Sequence, residues 1–278
     1  MTDQPAIRPL TDAERYLFDL QGFVILRQVV PAAQIAAANT ALAKIEALPT
    51  ESLPKNVTLG APRFPHDQYF SGVLDADPCF ADFIDVPDVL AVIAALTGGM
   101  FRLNHAYSIT RSTTGYTGLH MGGTPLVHQT HYGCVNGQLY SPLTKAVFPL
   151  LPCGPEDGCF AAIPGSHKSN FPRPWGNHPH ENPPLVPVIA DPGDAIIFSE
   201  AVAHGSMVNT SGRLRRTLYF CYSHSWMADW GSQNQRFTSE LMARLPERRR
   251  RILALSDASG AAPAPVYAQG AAAAMTAR

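Results

Sequence analysis

The stretch Arg213-Leu214-Arg215-Arg216-Thr217-Leu218-Tyr219-Phe220-Cys221-Tyr222-Ser223 decides the fold class. It reads as a β-strand, because aromatic and apolar residues recur without a helical period. Period-two alternation puts Arg215, Thr217, Tyr219 and Cys221 on one side, and Arg216, Leu218, Phe220 and Tyr222 on the other. Only one of the two neighbouring arginines can then face the inside of a closed β-structure. An exposed strand arginine is the commoner fate of any single Arg. A buried guanidinium is costly unless it meets an anion, and its planar fork suits a carboxylate.

Upstream, the same texture recurs from residue 100 onward. Short β-type runs cover 101–110, 144–150, 159–163, 185–189 and 195–198, separated by Gly, Pro and Asp. Asp191-Pro192-Gly193-Asp194 is a tight turn between two of them. Repeated short strands point to a sandwich, jelly roll or barrel. The first hundred residues read differently. A helix is expected over 14–20 and a short strand over 22–26; Pro31 then opens an amphipathic helix with Ile35, Ala38, Leu42 and Ile45 on one face. Residues 49–77, rich in Pro, Gly and polar side chains, read as loop. A second helix over 87–96 is closed by Gly98-Gly99. Helix returns over 233–255, and the Ala/Pro/Gly-rich 260–278 reads as a mobile tail. With no internal repeat and no break, 1–259 is expected to form one domain.

Composition narrows the function classes. The chain has 278 residues, 46% hydrophobic and 15% charged, which fits a well-buried enzyme-like protein. A net charge of −1 gives no electrostatic reason to expect nucleic acid or an anionic membrane as partner. The run Arg248-Arg249-Arg250-Arg251 reads as a solvated helix end. Cys79, Cys134, Cys153, Cys159 and Cys221 are an odd, scattered set that fits reduced thiols. The start of the chain lacks a secretory pattern, and its most apolar window, 89–96, is too short to span a bilayer. A cytoplasmic protein acting on a small-molecule substrate is the expectation.

Two histidines carry the chemistry. His120 lies in Leu119-His120-Met121-Gly122-Gly123, and His204 in Ala203-His204-Gly205-Ser206, eleven residues before Arg215. Neutral imidazole is a good ligand for iron(II), and two histidines with one carboxylate on one face leave three positions for other ligands. On a strand, His120 and residue 122 would point to the same side. Any one of ten histidines is more often structural than a ligand; the arginine downstream of the second raises the reading.

These residues resemble the phytanoyl-CoA dioxygenase family of iron(II)/2-oxoglutarate-dependent oxygenases. The similarity covers Asp19-Leu20-Gln21-Gly22-Phe23-Val24-Ile25-Leu26 and most of 100–225. It includes Gly154-Pro155-Glu156-Asp157-Gly158-Cys159-Phe160-Ala161-Ala162-Ile163-Pro164-Gly165-Ser166-His167, and the segment from His204 through Asn209-Thr210-Ser211 to Arg215. The resemblance implies a mainly β protein with flanking helices, a double-stranded β-helix or cupin-like jelly roll. It implies iron ligation by His120 and His204, and binding of the distal carboxylate of 2-oxoglutarate by Arg215 with help from Ser206. Thr217 and Tyr219 are weaker candidates on the same face, and His167 looks structural. The reaction would use O₂.

The departure lies at residue 122, where the family's His-x-Asp is His120-Met121-Gly122. Glycine leaves one coordination position vacant, and chloride could take it. Related iron halogenases have Gly or Ala there, so the resemblance implies C–H functionalisation with halide rebound, by a halogenase or a close relative. Competing with this are a hydroxylase with a two-histidine site and one completed by another carboxylate such as Glu156 or Asp157. Further off are a non-catalytic binding protein and a cupin-type lyase or isomerase using another metal. Met121, His128, His131, Tyr132, Trp175, His178, His180, Trp226 and Trp230 are aromatic or polar candidates for the pocket mouth, or else for plain packing.

Overall fold

The computed structural model describes residues 8–64, 66–227 and 237–254. Helix α1 (Asp12–Gln21) begins at a reciprocal cap, in which Thr11 Oγ accepts from the Glu14 amide and Glu14 accepts from the Thr11 amide. It ends at Gly22, whose φ of +84° suits glycine and whose amide donates to the Phe18 carbonyl at 2.8 Å. Strand β1 (Phe23–Leu26) follows, then α2 (Ala32–Glu46), which buries Ile35, Ala38, Leu42 and Ile45 as its period predicts.

Residues 49–77 are not all loop. They contain β2 (Thr58–Leu59), β3 (Gln68–Ser71) and a short α3 (Val73–Ala76), and β3 pairs antiparallel with β4 (Phe101–Arg111) from Gln68 opposite Thr110. The pairing partner lies some forty residues on, so local composition did not reveal it. Helix α4 (Pro87–Thr97) closes on Gly98 in the left-handed conformation, as read from the sequence. A hairpin of β5 (Gly133–Val135) and β6 (Gln138–Tyr140) precedes β7 (Leu143–Pro149) and β8 (Phe160–Ala162). Then come β9 (Val186–Pro187), β10 (Ala195–Ser199), β11 (His204–Ser206) and β12 (Arg215–His224). The expected C-terminal helix is two pieces, α5 (Ser239–Arg244) and α6 (Glu247–Leu253), interrupted at Pro246. The expected 260–278 tail and Trp230 lie outside the described residues.

The strands form a seven-stranded antiparallel sheet, ordered β1-β10-β7-β12-β4-β3-β2, and a three-stranded sheet, β11-β8-β9. Alternation sorts the large sheet's faces. Leu218, Phe220, Tyr222, Phe148 and Ile197 join the core that includes α2 and α4. Tyr219, Cys221, Val147, Ile196 and Phe198 face inward with Tyr107 and with Phe160 and Ala162 of the small sheet. Two antiparallel sheets enclosing an apolar interior, with helices outside, make this a mainly β jelly roll. Arg216, on the helix-facing side, pairs with Glu46 of α2. Among the described residues no helix is long and apolar enough to cross a membrane.

Candidate metal and co-substrate site

The chain leaves β10 at Ser199 and returns as β11 within five residues, with the Val202 amide donating to Ser199 carbonyl at 3.0 Å. This turn sets Glu200 and His204 side by side. His204 is in turn locked to His120 by reciprocal backbone hydrogen bonds, each 3.1 Å. The two imidazoles, from segments 84 residues apart, therefore meet with ring centroids 4.1 Å apart.

Each ring is held the same way. His120 Nδ1 lies 2.9 Å from the Gly118 carbonyl and His204 Nδ1 lies 2.8 Å from the Val202 carbonyl. A carbonyl can only accept, so both Nδ1 atoms carry the proton and both Nε2 lone pairs are free to ligate. Burial lowers the pKa of His120, and lowers that of His204 well below the usual value, the neighbouring His120 adding to the effect. His120 keeps accessible surface because it lines a cavity, yet protein surrounds its ring closely enough to favour the neutral form.

The third member of the cluster was missed by sequence reasoning. Glu200 Oε1 stands 3.9 Å from His204 Nε2, and the donor atoms of His120, Glu200 and His204 all fall within 4.8 Å of one another. The available signal was an acid directly after an apolar strand and four residues before a candidate ligand. Lys145, likewise unremarked inside the apolar run of β7, straddles this carboxylate at 3.1 and 2.9 Å. Burial works against the lysine's charge, but Glu200 outweighs it and raises the pKa.

Gly122 does not stand on a strand with His120. Met121 has φ +63° and Gly122 φ +126°, so the chain turns there and strand alternation does not apply. The turn that holds Glu156 and Asp157 is occupied elsewhere: Asp157 receives two hydrogen bonds from Arg213 at 2.7 and 2.9 Å and a third from Ser211 at 2.6 Å.

Arg215 is buried on the inward face of β12, where Nη2 donates to Tyr219 Oη at 2.9 Å. Nη1 has no hydrogen-bond partner among the described residues. With Thr217, Cys153 and Cys159 it lines a small void, with Phe160 also on its wall. Phe160 and Tyr219 also line a cavity of about 560 Å³ in which His120, Glu200 and His204 sit. Ser206 is placed with a different arginine. Its Oγ accepts from the Thr117 amide at 2.8 Å and from Arg111 Nη1 at 3.4 Å. Arg111 itself grips Asp67 through two bonds of 2.6 and 2.9 Å on the cavity wall. Part of the remaining wall is aromatic: Tyr107 stacks between Tyr69 and Tyr219 at 4.9 and 4.7 Å.

Of the expected mouth residues, Met121 lines the cavity. Tyr132 instead donates to Asp19 at 2.6 Å and packs edge-on against His167, while His131 packs against Tyr140. His178 packs edge-on against Tyr116. His167 is buried, with Nε2 3.1 Å from the Asp19 carbonyl, tying the Pro-Gly-Ser-His turn to α1.

Comparison with known proteins bears on this arrangement. HygX from Streptomyces hygroscopicus, solved with nickel and 2-oxoglutarate bound, superposes with a TM-score of 0.68 at 24% identity, over 80% of this chain and 90% of that one. SnoK, described as a non-heme alpha ketoglutarate dependent carbocyclase from nogalamycin biosynthesis, gives 0.61 at 18% identity, over 85% and 91%. At such identities the likeness is one of fold. The dioxygenase lolE1 of Epichloe uncinata is 32% identical over 75 residues, 24% of this chain and 28% of that protein, so the match spans just over a quarter of that relative. Residues 18–217, well over half of the chain, match the model of phytanoyl-CoA dioxygenase (PhyH). The chain thus belongs to the phytanoyl-CoA dioxygenase (PhyH) family.

Proposed function

We propose that this chain oxidises an unactivated C–H bond of a small organic molecule, with His120 and His204 as iron(II) ligands and Arg215 as the anchor for 2-oxoglutarate. The observation that carries the reading is the pair of imidazoles, His204 buried and His120 opening onto the cavity. Their Nδ1 atoms are fixed on backbone carbonyls and their Nε2 atoms converge with a carboxylate within 4.8 Å. This donor set fits a divalent first-row metal with open positions. Bound iron(II), with 2-oxoglutarate and O₂, would supply the oxidising power that no side chain of this protein has.

The residues do the rest. Neutral histidines need lose no proton to ligate. Two buried cations line the cavity, Arg111 and Lys145, and they already hold Asp67 and Glu200; Arg215, in the adjoining small void behind Phe160, has an Nη1 with no hydrogen-bond partner among the described residues. A buried charge of that kind favours an anionic ligand such as a carboxylate. The cavity volume suits a small molecule, with the tyrosine stack offering apolar surface and Arg111 with Asp67 a polar edge. Small-molecule binding is also supported by HygX, which holds hygromycin B in one structure, and by SnoN, which holds nogalamycin RO.

A second reading, halide transfer, is favoured by one observation. Gly122 offers no carboxylate, and a Cβ there would meet only Ala203 Cβ, at 4.0 Å. An anaerobic absorption spectrum with iron(II) and 2-oxoglutarate tests both readings. A visible charge-transfer band is expected; its absence would refute the oxygenase site, and a shift on adding chloride would select halide transfer. Arg215→Ala is expected to weaken 2-oxoglutarate binding by roughly 10–100-fold in calorimetry, the scale of a lost charged hydrogen bond. Unchanged affinity would remove Arg215 from the assignment, and no 2-oxoglutarate binding by the wild type would favour a jelly-roll enzyme that needs none.

A further inference from the structure

Resting on the two-histidine reading above, we infer that Glu200 is the carboxylate arm of this metal centre, taking the place left empty by Gly122, with Lys145 as its counter-cation. The arm comes from a different part of the fold: the end of β10, four residues before the second histidine, rather than two residues after the first.

Three observations carry this. Glu200 Oε1 is 3.9 Å from His204 Nε2, and His120 is within the same 4.8 Å cluster, so the three donor atoms face one shared space. The carboxylate is 3% exposed and lines the cavity, so it is aimed at the space that the imidazoles share. Its backbone is fixed on both sides: the Glu200 amide donates to the Leu143 carbonyl at 3.0 Å, and β11 begins four residues later.

A buried Lys–Glu pair can also be purely structural. What distinguishes this one is its neighbourhood. Lys145 reaches Glu200 across the β7–β10 pairing, where Lys145 lies opposite Phe198, and its ammonium sits 5.9 and 6.0 Å from the centroids of the Tyr107 and Phe198 rings. The lysine therefore approaches from the sheet side, while the imidazoles flank the carboxylate from the β11 side. A carboxylate between a lysine and two neutral imidazoles can face a dication on one side and keep its partner on the other. With that arm filled, the position that halide transfer requires is no longer vacant.

The test uses the full chain stripped of metal, with Co(II) as probe, followed by calorimetry and by its visible spectrum. Glu200→Gln keeps the shape of the side chain. The double variant Lys145→Met with Glu200→Gln removes both charges, so a folded protein is retained even if the single variant leaves the lysine stranded. Melting by circular dichroism verifies folding. Both variants are expected to lose more Co(II) affinity than the roughly 10–100-fold that accompanies loss of an outer hydrogen-bond partner. Chloride should perturb the Co(II) spectrum of Glu200→Gln and leave that of the wild type unchanged.

If Glu200→Gln binds Co(II) as tightly as wild type while His204→Ala does not, Glu200 is structural, the inference fails, and the two-histidine reading survives. A chloride shift in the wild type likewise overturns the inference alone. Should wild type and His204→Ala both fail to bind Co(II), both readings fall.

Discussion

At the scale of single residues, Gly122 combines open space with a backbone that side chains rarely adopt. Its φ is +126°, and a Cβ would meet only Ala203 Cβ at 4.0 Å. Restoring an acid there, as Gly122→Asp, is therefore expected to fit sterically but to cost about 1–3 kcal/mol in backbone strain. A lowered melting temperature checks this; a variant melting like wild type would mean that the loop relaxes freely. The sequence reading treated residue 122 as the site's missing arm because a strand alternates, and Met121 with φ +63° breaks that premise. Arg215 and Tyr219 were legible by alternation, and they meet at 2.9 Å. Ser206 was assigned to Arg215 by resemblance, whereas its hydroxyl sits with Thr117 and Arg111.

At the scale of elements, α2 and the outer face of the large sheet form a layer separate from the cavity. Leu42, fully buried on α2, belongs to the core shared with Phe148 and Phe220. Leu42→Ala should destabilise by about 2–5 kcal/mol through lost contacts and a residual cavity. Because the inward cluster of Phe160, Phe198 and Tyr219 is distinct, Co(II) affinity of the folded variant should be unchanged. Denaturant unfolding and calorimetry separate the two effects, and a parallel loss of metal affinity would show that the layers are coupled. The amphipathic period of α2 was plain from Ile35, Ala38, Leu42 and Ile45. Strand β3 was not, because Gln68-Tyr69-Phe70-Ser71 is too short to declare itself outside its pairing with β4.

At the scale of the whole molecule, burial of histidines sets the response to acid. Burial lowers His105 to about 3, with Lys145 adding to it, and His167 to about 4, with Lys168 adding. Both rings are neutral in the folded state, whereas the unfolded chain takes up their protons near pH 6.5. Stability is therefore complete above about pH 6.5 and falls as pH drops toward 4 for His167 and 3 for His105, by up to about 1.4 kcal/mol per pH unit per ring. Asp157 adds a loss at lower pH: burial raises its pKa, but hydrogen bonds from Arg213, Ser211 and Gly154 bring it down to about 2. Metal-free urea unfolding at pH 7.5 and 5 should show the drop, and His167→Gln should flatten it; equal slopes would contradict the assignment. The sequence by itself determined the alternating strands and the helices, because such features are written in local periods; it marked His120, His204 and Arg215 as candidates through their spacing and a family resemblance. Only the tertiary structure decided that Glu200 joins His120 and His204, that Lys145 reaches Glu200 from 55 residues away, and that Arg111 holds Asp67. Those meetings depend on which strands become neighbours, and β10 lies between β1 and β7 through hydrogen bonds that no short stretch of chain specifies.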